Sequence, residues 1–290
     1  MTRSIAAHRR RQWVSSLAAL VRVLVHSNVF ISISAASVVV TTIGLADLPF
    51  DPRPFFIVVA VTMFVYTVNR FTDLEEDEAN VPQRAAFIKR YGRLWLAVGT
   101  VLYLAAIGFA IALDVPGVGF MIVPLLAAIL YSTVGVKRLF LVKNLFVGAA
   151  WALIPLGVGY YFGRPWQFEI LFLTAYVGAM ITIAAVIFDV KDIEGDRAEG
   201  IRTVPNTFGP GWTRIVSQVA NVLVAALVPV VVAAGVLSPE FLVLLAFNGY
   251  VGAYIPFATP DRGPLFYGFV VDGEHLFLAV LVVVLEWAVW

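Results

Sequence analysis

The chain of 290 residues is too apolar and too weakly charged for a soluble domain. Hydrophobic residues make up 61% of it, charged residues only 13%, and its mean hydropathy is +0.90. Soluble domains carry about 25% charged residues. The formal net charge of +1 gives no indication of nucleic-acid binding, and the absence of cysteine excludes disulfides, zinc–thiolate sites and a catalytic thiol. The composition therefore indicates an integral membrane protein.

Nine apolar segments are long enough to cross a membrane as helices. A membrane helix needs about 20 mostly apolar residues, and helices are required because lipid offers backbone polar groups no partners. We therefore predict an all-α polytopic membrane protein that forms a single domain over residues 1–290. The predicted spans are 24–45, 54–72, 94–113, 116–134, 144–162, 167–189, 213–236, 239–258 and 265–288.

The basic residues orient these spans. With the N-terminus in the cytoplasm, eighteen of the 20 Lys and Arg residues fall on the cytoplasmic side, and only Arg53 and Arg164 fall outside. This distribution predicts a cytoplasmic N-terminus and an outside C-terminus. The two longest connections, about 73–93 and 190–212, then share the cytoplasmic face. No clean cleavage site follows the basic N-terminus, so we do not expect a removed signal peptide.

Each of these two connections opens with carboxylates at helical spacing. The first follows an apolar span and reads NRFTDLEEDEAN, and the second reads FDVKDIEGDRAEGIRTVP. Spacings of i, i+4, i+8 and of i, i+3, i+7 each place the residues on one helical face. We therefore predict two helical extensions, each with a polar stripe. The first stripe is Asn69, Asp73 and Asp77, and the second is Asp189, Asp192 and Asp196.

Carboxylates on one face repel one another, so they need a positive partner. Mg²⁺ binds one or two carboxylates together with phosphate oxygens and keeps several waters. One acidic stripe alone is typical of a solvated surface. Two stripes at corresponding helix ends, on one side of the membrane, favour a site where metal ions bridge a diphosphate. The intervening Glu75, Glu76, Glu78 and Glu194 are expected to be solvated.

The connection after the fourth predicted span supplies cations for the same site. It reads YSTVGVKRLFLVKN, and Lys and Arg are the usual partners of phosphate groups. The same charges would also serve to set the topology. Arg84 and Arg202 are weaker candidates. The candidate substrate-binding residues in this segment are Tyr131, Lys137, Arg138, Lys143 and Asn144.

These motifs together resemble those of the UbiA superfamily of intramembrane prenyltransferases. NRFTDLEED is similar to the family's first motif, Asn-x3-Asp-x3-Asp, and DVKDIEGDRAEGIRTVP to its second, Asp-x2-Asp-x3-Asp followed by Gly and Thr-x-Pro. YSTVGVKR resembles the Tyr-Ser…Lys-Arg segment between them, and Lys143-Asn144 falls where the family often has a Lys-Asn pair. The resemblance implies nine transmembrane helices bundled around a central apolar cavity.

Three positions depart from the family's usual pattern. Asn69 is followed by Arg70 where many members have Asp, and the first span opens with VHSNVF, including His26, where many have Arg-Pro. NVPQR replaces an Asn-Arg-Pro-like run after the first motif. These departures leave the acidic positions intact and bear on the choice of acceptor.

The resemblance implies Mg²⁺-dependent transfer of a prenyl group from an isoprenyl diphosphate donor to a lipophilic acceptor within the membrane. Members of the family prenylate aromatic rings of quinone precursors, glyceryl-phosphate lipids, chlorophyll-type macrocycles and haem, and we expect one of the first two as the acceptor. Five aspartates form the implied catalytic set, with Asp192 supporting the others or holding a cation and Asn69 binding metal or phosphate. The implied Mg²⁺ ligands are Asp73, Asp77, Asp189 and Asp196. Aromatic faces stabilise a carbocation, and the candidates are Phe64, Tyr66, Tyr131, Trp151, Tyr160, Tyr161 and Phe188.

Other functions remain open on the residues alone. An ion-coupled transporter would use the carboxylates as ion sites, but such sites lie near the midplane within repeats, whereas these acids cluster at one face. CDP-alcohol phosphotransferases gather their aspartates in one contiguous motif, and a scaffold leaves the paired stripes unexplained. Asp272, Glu274 and His275, early in the ninth span, are functional candidates with no assigned role.

Overall fold

The computed structural model describes residues 19–72, 74, 78, 81–133, 139–263 and 265–290, with the backbone alone at 128 and 131–133. The described parts are helices joined by turns, without a strand. Short 3₁₀ helices precede α5 and flank α10, at Val118–Met121, Pro239–Val243 and Ile255–Phe257, and a π-helix at Phe266–Val271 precedes α11. The α-helices are α1 Ala19–His26, α2 Val29–Leu45, α3 Arg53–Thr72, α4 Pro82–Ala112, α5 Ile122–Thr133, α6 Val142–Tyr161, α7 Phe168–Phe188, α8 Ile193–Ala198, α9 Val204–Ala233, α10 Leu244–Tyr254 and α11 Glu274–Ala288.

The predicted all-α membrane fold is confirmed, but the count of nine spans is not. Within the described residues, seven helices are long and apolar enough to cross a membrane. The first predicted span is a pair, α1 and α2, bent by 70°, and counting it as one span gives eight. The fourth predicted span, 116–134, consists of a 3₁₀ turn and α5, which together fall short of that length. The structure thus shows an integral membrane protein with some broken or shortened spans.

Two helices begin well before the predicted membrane boundary. α4 starts at Pro82, although the third span is predicted from residue 94. Proline suits the first turn of a helix because its missing N–H would have no partner there, and the Lys and Arg residues that follow are good helix formers. α9 likewise starts at Val204 and is kinked at Gly209, which has φ 86° and precedes Pro210. Helices therefore replace much of both predicted loops.

Small residues set a close helix crossing between α6 and α7. A Cβ atom placed on Gly148 of α6 would lie 2.5 Å from the carbonyl oxygen of Gly178 on α7. Small residues at such crossings allow membrane helices to approach closely. α7 is apolar on all sides and mostly buried, as expected of a helix inside a bundle. This crossing fixes the start of α6 against the end of α7.

We expect Gly148→Ala to destabilise the protein by about 1–3 kcal/mol, because the added methyl group overpacks this crossing. The melting temperature of the purified protein in detergent should fall. Gly108→Ala on α4 is the matched control, since a Cβ there meets nothing within 4 Å. A Gly148→Ala protein that melts at the same temperature as Gly108→Ala and the wild type would contradict the close crossing.

The first and last spans pack together where both are broken. The α1–α2 bend is at Ser27 and Asn28, and Asn28 has a left-handed backbone with φ 64°. A Cβ on Gly268, in the π-helix, would lie 2.6 Å from Val25 on α1. The Ser34 hydroxyl on α2 donates to the backbone carbonyl of Asp272. The chain therefore closes by packing its last span against its first.

A polar contact joins the start of α3 to the end of α6. The Tyr161 hydroxyl donates to Asp51 Oδ2 at 2.6 Å, and Arg53 forms a salt bridge with the same carboxylate. The hydrogen bond from Arg53, and a further one from Tyr161, hold the pKa of Asp51 well below its ordinary value against the opposing effect of burial. This contact fixes the end of the bundle remote from the acidic motifs.

Candidate functional site

A cavity of about 400 Å³ lies between α3, α5, α6, α7 and the last span. α3 and α7 end where α6 begins, so the polar residues from these ends gather at one end of the cavity. The walls further along are apolar and include Val58, Val61 and Ile154. The predicted central cavity is therefore present, with a polar end and an apolar interior. The polar end is formed by Asn69, Arg70, Arg84, Lys143, Asn144, Asp189, Lys191 and Asp192.

Asp189 is the centre of the polar end. It caps α7 and is only 2% exposed. Lys143 Nζ lies 2.8 Å from its Oδ1, and Asn144 Nδ2 donates to its Oδ2 at 2.9 Å. Lys143 Nζ also lies 3.8 Å from Oδ1 of Asp196, which is 1% exposed. The structure thus brings together Lys143, Asn144, Asp189 and Asp196, four of the predicted site residues.

The second motif is a turn followed by a short helix rather than one continuous extension. The amides of Val190, Lys191 and Asp192 each donate to the carbonyl three residues back, which winds the chain more tightly than an α-helix. α8 then carries Asp196 inward, while Glu194 is exposed, as predicted. The expectation of a continuous helix over Asp189 to Asp196 is corrected, although the three aspartates stay close.

The remaining residues of the second motif form the connection from α8 to α9. Gly200 has φ 70°, a left-handed conformation that glycine adopts without strain. Asn206 Oδ1 accepts the backbone amide of Thr203 at 2.9 Å, and Asn206 Nδ2 donates to the Ile201 carbonyl at 2.6 Å. The Thr-x-Pro element therefore starts α9 with a capped end and places Ile201 against the cavity.

The first motif is only partly described. Asn69 and Arg70 end α3 and line the cavity. The other predicted ligands in this motif, Asp73 and Asp77, lie outside the described residues, and so do Lys137 and Arg138. Of Tyr131 the structure describes only the helical backbone, in α5. Their roles stay predictions.

The oxygen atoms present suit Mg²⁺. In the described part of the chain, no three His, Cys, Asp or Glu residues form a metal-binding group, and Lys143 lies between Asp189 and Asp196. Buried Oδ1 atoms of Asn69 and Asp192, both in cavity-lining residues, have no hydrogen-bond partner among the described residues. Buried oxygens without partners indicate a missing ligand, and carboxylate and amide oxygens are hard donors that Mg²⁺ accepts. The donor set therefore fits a Mg²⁺ ion.

Aromatic residues line the cavity beyond its polar end. Of the predicted set, Tyr66, Trp151, Tyr161 and Phe188 line it, whereas Phe64 stacks on Tyr103 and Tyr160 on Phe120. Arg70 and Lys191 also line the cavity, although neither was predicted as a site residue from the sequence. Lys191 forms a salt bridge with Asp192. The position of Lys191 between Asp189 and Asp192 in the second motif could have identified it as a site residue.

Comparisons with known proteins agree with this geometry. The sequence model of the UbiA prenyltransferase family matches residues 14–263. A digeranylgeranylglyceryl phosphate synthase from Methanosphaera stadtmanae is 23% identical over 194 residues, which are 65% of this chain and 68% of the relative. The synthase of the same name from Pyrococcus furiosus is 29% identical over 180 residues, 58% of this chain and 61% of the relative. The chain thus spans about two thirds or less of the length of these relatives.

Solved structures share the fold. A UbiA homologue from Aeropyrum pernix K1 superposes with a TM-score of 0.63 at 19% identity, covering 89% of this chain and 97% of that one. A UbiA homologue from Archaeoglobus fulgidus, bound to GPP and Mg²⁺, gives a TM-score of 0.61 at 14% identity, covering 90% and 98%. With the family match extending over most of the sequence, this chain belongs to the UbiA prenyltransferase family.

Proposed function

We propose that this protein transfers a prenyl group from an isoprenyl diphosphate to the hydroxyl of a glyceryl-phosphate lipid, with Mg²⁺, at the cytoplasmic face of the membrane. The observation that carries the proposal is the buried cluster of Lys143, Asp189 and Asp196 at the polar end of an apolar cavity. An isoprenyl diphosphate has a charged head and a long hydrocarbon tail, which need a polar and an apolar environment side by side. An ion-coupled transporter has no need of the apolar interior.

Asp189, Asp192 and Asp196 would hold Mg²⁺ together with Asp73 and Asp77 of the first motif, and Asn69 would contribute its amide oxygen. When bound, the metal stabilises the charge that develops on the leaving diphosphate. Lys143 and Asn144 orient Asp189. Lys137, Arg138 and Tyr131 are proposed to contact the diphosphate from the segment before α6. Tyr66, Trp151 and Phe188, the cavity aromatics nearer the polar end, would stabilise the carbocation without reacting with it.

Two observations favour a phosphate-bearing acceptor over an aromatic ring. Both relatives described above are named for a glyceryl-phosphate product. The polar end also carries Arg70 and Arg84, and Arg70 stands where the family resemblance leads one to expect Asp. Guanidinium groups bind phosphate, so a second anion beside the diphosphate would suit these two side chains. The aromatic ring of a quinone precursor is the rival acceptor.

The cytoplasmic orientation rests on the basic residues. Both acidic motifs and the segment before α6 lie on the side with eighteen of the 20 Lys and Arg residues, and positive loops stay in the cytoplasm. The large exposed apolar residues along α9, such as Val219, Leu223 and Leu227, face lipid in this arrangement.

The test is a transfer assay on purified protein with labelled geranylgeranyl diphosphate. The acceptor panel contains geranylgeranylglyceryl phosphate and 4-hydroxybenzoate, each with Mg²⁺ and with EDTA. We expect Mg²⁺-dependent product with the glyceryl phosphate and none with EDTA. Product from the aromatic acid alone would overturn the acceptor class. The absence of both turnover and Mg²⁺-dependent donor binding, with geranylgeranyl diphosphate and with shorter and longer isoprenyl diphosphates, would overturn the function.

A further inference from the structure

The last span is broken where it meets the cavity. The π-helix Phe266–Val271 ends at a turn of Asp272 and Gly273, and α11 begins at Glu274. Irregular backbone at membrane depth is tolerated where it is buried in protein or lines a cavity, and π-helical turns occur frequently at functional sites. Asp272, Glu274 and His275 all line the cavity. The break therefore presents polar side chains to a mostly apolar wall.

Two of these side chains carry buried atoms with unused hydrogen-bonding capacity. Glu274 and His275 are each 1% exposed. The Tyr254 hydroxyl donates to Glu274 Oε2 at 2.7 Å. Glu274 Oε1 and His275 Nε2 have no hydrogen-bond partner within the described part of the chain, and they lie 3.8 Å apart. A buried polar atom without a partner costs about 1–3 kcal/mol, so this pair is suited to a ligand that bonds to both atoms.

Neighbouring side chains hold the pair in place. The His275 ring lies between Trp151, with ring centroids 5.5 Å apart, and Phe247, at 4.9 Å. Trp151 Nε1 in turn donates to the Tyr66 hydroxyl at 3.1 Å. An imidazole fixed by two aromatic rings and a carboxylate fixed by a tyrosine have little freedom to turn away. The two free atoms are therefore preorganised.

The pair also lies at a suitable depth. Trp151 follows Lys143 by eight residues on α6, which is about 12 Å along the helix. Tyr66 precedes Asn69 by three residues on α3, about one turn. Glu274 and His275 thus lie further into the same cavity than the charged cluster at its polar end. A donor with its diphosphate at the polar end would point its reactive carbon towards them.

We propose that Glu274 and His275 hold the nucleophilic hydroxyl of the acceptor and accept its proton. This inference rests on the proposed function. The bond between C1 of the donor and the diphosphate oxygen breaks, and the diphosphate leaves with the electron pair. The acceptor oxygen bonds to C1, and its proton passes to the Glu274–His275 pair. The pair binds an acceptor through its O–H group, and the bound acceptor occupies the place that water would otherwise take beside C1.

The test compares Glu274→Gln and His275→Asn with the wild type, using geranylgeranyl diphosphate, Mg²⁺ and geranylgeranylglyceryl phosphate. Both transfer and hydrolysis of the donor to geranylgeraniol are measured. General-base catalysis contributes about 10²–10⁴-fold, so we expect kcat/KM for the acceptor to fall by about 100-fold or more. The KM for the donor should change by less than about threefold, and hydrolysis should rise relative to transfer.

Glu286→Gln is the matched control, because it makes the same change on an exposed residue of α11 and should leave every rate unchanged. If Glu274→Gln does not fold, Tyr254→Phe removes only the bond that orients the carboxylate, and we expect a loss of about tenfold. If the wild type is active and the folded variants keep the same kcat/KM for the acceptor, this inference is overturned and the proposed function stands. A wild type that neither binds nor turns over the donor would overturn the proposed function as well.

Discussion

Asp189→Asn is expected to lower Mg²⁺-dependent prenyl transfer by at least about a hundredfold, because we propose that this carboxylate holds the metal that stabilises the leaving group. Asp189 is buried and contacts both Lys143 and Asn144. The measurement is kcat for transfer over a range of Mg²⁺ concentrations. We expect the variant to need far more Mg²⁺ for any residual rate.

Glu194→Gln is the control for this substitution. It removes a carboxylate of the same motif, but Glu194 is exposed on α8 and should leave the rate and the Mg²⁺ dependence unchanged. Full activity in Asp189→Asn, or an equal loss in both variants, would show that Asp189 has no special role.

Lys143→Met is expected to give the second large effect, on stability. The ammonium group lies between the buried Asp189 and Asp196 carboxylates, at 2.8 and 3.8 Å. Removing one partner of a buried ion pair costs about 3–5 kcal/mol, because it leaves charge uncompensated. The melting temperature of the metal-free protein should fall by about 5 °C or more. Added Mg²⁺ should restore much of it, since a divalent cation can take the place of the ammonium group.

Lys89→Met provides the comparison. Lys89 pairs with Glu78 on the surface, and its side chain is 57% exposed, so its loss should cost no more than about 1 kcal/mol. A Lys143→Met protein as stable as Lys89→Met, with or without Mg²⁺, would contradict the stabilising role of the Lys143 ion pairs.

The sequence indicates the helical membrane fold because apolar runs of about 20 residues have no other stable structure in lipid. Helix ends were harder to predict. α4 extends to Pro82 because helix propensity continues past the apolar region. The bend at Ser27 and Asn28 and the π-helix before Asp272 depend on contacts between the first and last spans. Hydropathy carries no information about such contacts.

The site was predictable where spacing determines geometry. Asp189, Asp192 and Asp196 recur at helical intervals, and the structure keeps them together even through a turn. The pairing of Lys143 with Asp189 joins two helices that pack closely at Gly148 and Gly178. The approach of Glu274 to His275 depends on the break in the last span. Contacts between distant segments of this kind are not visible in one sequence.

The most direct test of the account is a crystal structure of the protein with Mn²⁺ and a geranylgeranyl thiolodiphosphate, an analogue that resists ionisation. Anomalous scattering locates Mn²⁺ independently of the protein density. We expect metal bound to Asp189 or Asp192 at the polar end of the cavity, with the diphosphate beside it and the hydrocarbon tail along the apolar wall. Metal bound elsewhere, or a donor whose head group lies away from these aspartates, would contradict it.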